Sequence, residues 1–157
     1  MSRENSQWGP TLSILDRLTE KQAPASSWDE MREIKRSLCD DLAALLNTRR
    51  AEEDFDEQYE QAANSVLTYG VTDFTSYNLT NTIEQERLRR SIERAIRLFE
   101  PRLTRVNVIL EEPDPLRPVL RFQIEAVLRT ETPGEPVLFD AMLYRDSRRI
   151  SVSGANS

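Results

Sequence analysis

At Glu100-Pro101-Arg102 the hydrophobic pattern changes from helical to alternating, and that one break constrains the class of fold more than any other feature. Upstream, Leu88, Ile92, Ala95, Ile96 and Phe99 recur at helical spacing, which predicts a helix from about Thr82 to Phe99 with Asn81 or Thr80 as N-cap and Glu84 in the first turn. Pro101 forbids its continuation. Downstream, Val106, Val108 and Leu110 alternate, as do Leu120, Phe122, Ile124, Ala126 and Leu128. Val137, Phe139, Ala141 and Leu143 repeat the pattern, and Ile150 and Val152 close it. Short polar connections at Pro113-Asp114-Pro115, Thr132 to Pro136 and Asp146-Ser147-Arg148 predict an antiparallel meander of about four strands. Its second face is not uniformly polar, because Leu138, Met142 and Tyr144 share one side of the third strand. Helices first and a small, mainly antiparallel sheet afterwards make an α+β fold.

The first half supplies the other helix. Ser27 and Glu30 have the spacing of a capping box, and Met31, Ile34, Leu38, Leu42 and Leu45 follow as one apolar stripe that ends in Arg49-Arg50. Cys39, at the edge of the stripe, reads as a small core residue. Residues 1–27 read as an N-terminal arm and linker, with Leu12, Leu15 and Leu18 as anchors for docking on the body or on a partner. Residues 28–157 then form a single domain, with helices over about 28–99 and strands over about 104–153. Residues 52–60 are acidic, with Phe55 and Tyr59 interleaved, and lack the Asp pattern and glycine of a calcium loop. Ser65 to Tyr69 lead to Gly70, suited to a helix C-cap or turn, and Val71 to Asn81 is irregular by composition.

The composition narrows the chemistry. The chain has no histidine, which removes His-based triads, His-containing metal sites and histidine pH switches. Its four scattered glycines make no phosphate loop, and nothing in it calls for a cofactor. A single cysteine, no signal-peptide core after Met1 and no apolar run long enough to cross a bilayer point to a cytoplasmic protein that is not membrane-embedded. Glycoside hydrolysis needs only two carboxylates, and Glu100 is the candidate acid; Arg102 beside it would lower its pKa, opposite to what a general acid needs. Arg87, Arg90, Arg94 and Arg97 form a stripe on the helix side away from the core, with Glu86 and Glu93 placed to pair with Arg90 and Arg97. Nucleic-acid binding is disfavoured by the net charge of −6 and the lack of any recognition motif. Protein assembly fits best: an anchored arm, a basic helix face and a sheet edge able to accept a strand. A Glu at a helix C-terminus opposes the dipole, so Glu100 is expected to hold Arg102 or a partner.

Three segments carry a resemblance: Leu12 to Leu18, Ser65-Val66-Leu67-Thr68-Tyr69-Gly70-Val71-Thr72-Asp73, and Ile92 through Phe99-Glu100-Pro101-Arg102-Leu103. Together they resemble the TssE subunits of type VI secretion baseplates, relatives of the wedge proteins of contractile phage tails and long tagged "lysozyme-like". Val71-Thr72-Asp73 departs from the Leu-Pro-Asp frequent in that family. The resemblance implies a structural subunit at the cytoplasmic face of the inner membrane that joins the wedge to the contractile sheath and helps to start its polymerisation. Implied partners are TssF and TssG, TssK through the baseplate, and the sheath subunits TssB and TssC. The family's Glu-Pro-Arg motif maps onto Glu100, Pro101 and Arg102 and implies assembly contacts there. The same tag keeps a peptidoglycan-cleaving hydrolase using Glu100 as the alternative.

Overall fold

The computed structural model describes residues 27–50, 68–74, 77–78, 80–114, 116–117, 119–129 and 134–154, with backbone alone for 27–29. The anchors Leu12, Leu15 and Leu18, the acidic run and the Ser27 capping box lie outside the described residues and side chains. Helix α1 spans Ser27–Asn47 and α2 spans Thr82–Phe99. Strands β1 (Leu103–Leu110), β2 (Val119–Leu128), β3 (Glu135–Tyr144) and β4 (Arg149–Gly154) follow and pair antiparallel in chain order. This is the expected α+β arrangement.

The N-terminus of α2 begins where Asn81 leaves helical geometry and its side chain accepts a hydrogen bond from Ile83 N at 2.9 Å. At the other end Glu100 has φ −121° and ψ 81°, outside the helical region, as a residue before proline prefers. Both helices lie on one face of the sheet. Ile34, Leu38, Leu42 and Leu46 of α1, with Leu88, Ile92 and Ile96 of α2, close on Leu120, Phe122 and Ile124 of β2 and Phe139 of β3. Burying each such side chain contributes roughly 1.5–3 kcal/mol, so the alternation read from sequence is the main force holding helices to sheet. On the opposite face Ile109, Leu138 and Tyr144 are exposed.

The helices also reach the two sheet edges. On β4 the Asn47 side chain receives Ile150 N at 2.9 Å and donates to Ile150 O at 2.7 Å, while also donating to Ala43 O at 2.6 Å. It therefore stands in for a neighbouring strand. Further along, the Gly154 amide faces the Cys39 sulfur; burial and Asp40 raise that thiol's pKa and Gly154 only partly opposes them. On β1 a bulge lies between Thr104 and Asn107, with Arg105 at φ 53°. The bulge turns Val106 O to Arg97, which donates to it at 2.7 Å, and Val108 N to Glu93, which accepts at 3.0 Å.

These edge caps have a measurable worth. Asn47→Ala leaves both Ile150 groups without a protein partner, and each such loss costs about 1–3 kcal/mol when water cannot replace it fully. Because Asn47 is only half-buried, the expected loss is about 2 kcal/mol in urea unfolding at unchanged slope. An unchanged midpoint would mean that water serves the β4 edge as well as the amide does.

Candidate functional site

Glu100 and Arg102 form a clamp inside the molecule. Arg102 Nε donates to Glu100 Oε1 and Nη2 to Glu100 Oε2, each at 2.7 Å, the two-pronged pairing of a guanidinium with a carboxylate. The same guanidinium also bonds Asp41 of α1 through Nη2 and reaches Ser37 Oγ through Nη1 at 3.5 Å. Glu100 is buried, at 5% exposure. Burial alone would lower the Arg102 pKa, but the bonds from Glu100 and Asp41 outweigh it and raise the pKa. Tyr69 packs edge-on against Phe99 at 5.1 Å beside this cluster; burial, Asp41 and Glu100 push its phenol pKa up. The clamp ties the end of α2 and the start of β1 to the middle of α1. Pro101, between the paired residues, is exposed.

The arginine stripe divides. Arg90 pairs with Glu86 at 2.7 Å, and Glu86 also takes two bonds from Arg89; these hydrogen bonds hold the Glu86 pKa down at about 2. Arg97 is partly exposed but is committed to Glu93, at 3.4 Å, and to the β1 backbone. Arg87, Arg90 and Arg94 instead border a groove of about 300 Å³, whose other wall carries Arg50, Thr68, Gly70 and Thr72. That wall is held to the helix ends by main-chain bonds from Val71 N to Thr48 O (3.0 Å) and Arg50 N to Val71 O (2.9 Å), and by Thr72–Ser91 hydroxyl contact at 2.6 Å. Arg49, next to Arg50, turns away and lies 4.0 Å over the Phe74 ring.

The family Baseplate wedge protein gp25 matches residues 32–133, from within α1 to beyond β2. This chain belongs to the baseplate wedge protein gp25 family. The matched range holds Glu100, Pro101, Arg102 and all four stripe arginines. Among solved structures, a chain of "The baseplate complex from the type VI secretion system" is similar at 18% identity, covering 72% of this chain and 96% of that one, with a TM-score of 0.49. No curated protein matches.

Within this gp25-type wedge chain the expected pairings of Glu86 with Arg90 and Glu93 with Arg97 are present, as is the Glu100–Arg102 pair. Three contributors, Ser37, Asp41 and Arg50, were not expected from the sequence, and the burial of Glu93 was not either. Ser37 and Asp41 sit between the apolar positions of α1, one turn apart and facing Arg102, a spacing that is visible only once the partner is known. Glu93 looks like one half of a surface pair yet is buried against β1, and Arg50 joins the stripe from a separate segment. Among the described residues no cluster of acidic or cysteine side chains is set to hold a metal, and no helix is long and apolar enough to cross a membrane.

Proposed function

We propose that the chain is a structural subunit of a type VI secretion baseplate, joining the wedge to the contractile sheath and helping to start sheath polymerisation. The observation that carries this reading is the gp25 family match over residues 32–133. The Phe99-Glu100-Pro101-Arg102-Leu103 resemblance adds the type VI context, with TssF and TssG as wedge partners, TssK reached through the baseplate, TssB and TssC as sheath subunits, and the cytoplasmic face of the inner membrane as its place. The arm 1–27 is assigned to wedge docking through Leu12, Leu15 and Leu18, and 28–157 to one body. Addition of a strand from a sheath subunit completes the reading. At β4 such a strand has to displace Asn47, whereas past Val108 the β1 edge carries no helix-derived bond among the described residues.

The hydrolase alternative loses support at its candidate acid. Both Glu100 oxygens are engaged by one guanidinium and the side chain is 7% exposed, so it is not placed to protonate a sugar oxygen. Co-expression with TssF and TssG from the same gene cluster is expected to give a complex of fixed stoichiometry. Replacing Leu12, Leu15 and Leu18 by serine is expected to weaken it while leaving the circular dichroism of the body unchanged. A chain that purifies alone from all of these partners would sink the assignment.

A further inference from the structure

We infer that the groove between α2 and the segment 68–72 is a seat for an acidic segment of a partner protein that carries an apolar side chain among its carboxylates. The inference rests on the assembly reading above and names the chemistry of one contact within it. Arg50, Arg87, Arg90 and Arg94 together line a concavity of about 300 Å³. Among the described residues, Arg90 alone of these four has an acidic partner, Glu86. Arg87 and Arg94 have no acidic partner among the described residues, and Arg50 Nε is a buried donor with no acceptor there. Exposed like charges normally spread apart into water; here the helix spacing and the bonded wall hold them together. A concave, low-dielectric wall concentrates their field, and guanidinium groups bind carboxylates by two-pronged hydrogen bonds.

The floor decides between classes of polyanion. Leu98 is 38% exposed and Phe99 half-buried beneath the arginines, so the groove offers apolar contact as well as charge. That combination matches a peptide alternating acids with a leucine or phenylalanine. A nucleic acid needs an extended basic track. This chain has a net charge of −6, and its basic feature is a groove the size of a few side chains.

Fluorescence anisotropy on the full chain tests the inference with three probes of equal length: a labelled peptide alternating Glu or Asp with Leu, its Gln/Asn counterpart, and a single-stranded oligonucleotide. The acidic peptide is expected to bind in a salt-sensitive manner and the Gln/Asn peptide not to bind. Arg87→Glu with Arg94→Glu is expected to weaken binding by about tenfold or more, whereas Arg121→Glu, on the sheet face away from the helices, leaves it unchanged. Arg87→Gln with Arg94→Gln gives a milder loss and serves if the reversed pair fails to fold. Equal weakening by the groove and Arg121 variants, no binding of the acidic peptide, or tighter binding of the oligonucleotide would each overturn the inference. So would binding that emerges only after the acids of 52–60 are neutralised, which would give the groove to the chain itself. Co-purification of the unsubstituted chain with TssF and TssG is scored separately, so a chain that joins the wedge but does not bind the peptide refutes the groove alone.

Discussion

Arg102→Ala is expected to lower the unfolding free energy by about 3–5 kcal/mol. The cause is what stays behind. Glu100 would remain buried at 5% exposure without the guanidinium that engages both its oxygens, and Asp41 and Ser37 would lose the group they share. A buried carboxylate without a partner is far costlier than the pair is beneficial. Replacing both members together, Arg102→Met with Glu100→Gln, removes the stranded charge and is expected to recover a good part of the loss. Urea unfolding of the three proteins reads this directly. A single variant within about 1 kcal/mol of the parent would mean that water reaches Glu100 and that the clamp is ornamental.

The clamp changes how assembly experiments on the Glu-Pro-Arg motif must be read. Because Glu100 and Arg102 hold α2 and β1 to α1, a variant that no longer enters the baseplate can fail by losing its fold. Only a substitution that preserves the unfolding midpoint speaks for a contact with a partner. Pro101, Arg87, Arg90 and Arg94 are exposed and meet that condition better than the paired residues do.

Much of this was legible in the chain because period is a local property. The alternation from Val106 to Val152 specified which side of each strand faces the helices, and the apolar spacing in Ile34–Leu45 and Leu88–Ile96 did the same for α1 and α2. Asn81 was legible as a cap for the same reason. What escaped depends on pairs far apart in sequence. Asn47 looks like an ordinary helix-end residue until Ile150, more than a hundred positions later, is brought alongside it. The β1 bulge was hidden because Arg105 occupies a left-handed conformation more often taken by glycine. Glu93 sits at a spacing that suits a surface ion pair with Arg97, and its burial follows from the bulge that aims Val108 N at it. The candidate groove was half legible: three of its arginines share a helix face, but Arg50 and the wall at 68–72 come from elsewhere.

Gly70→Ala is expected to cost about 3 kcal/mol, with little change at Gly154→Ala as its control. Gly70 has φ +110°, a conformation that side-chain-bearing residues rarely adopt, and a Cβ there would sit 2.4 Å from Thr48 O. That oxygen cannot retreat easily, since it accepts the Val71 amide at 3.0 Å and thereby fastens the 68–74 segment to the end of α1. Strain in φ contributes about 1–3 kcal/mol by itself, and relieving the overlap breaks the Val71 bond. At Gly154 an added Cβ meets Cys39 Sγ at 4.0 Å, an ordinary contact. The same methyl group therefore separates a close-approach glycine from a permissive one. Gly70 also lines the arginine groove, so the variant carries a second readout: binding of an acidic peptide falls together with the unfolding midpoint. Equal midpoints for the two alanine variants would show that residues 70–71 yield freely. The groove would then owe its shape to α2 alone.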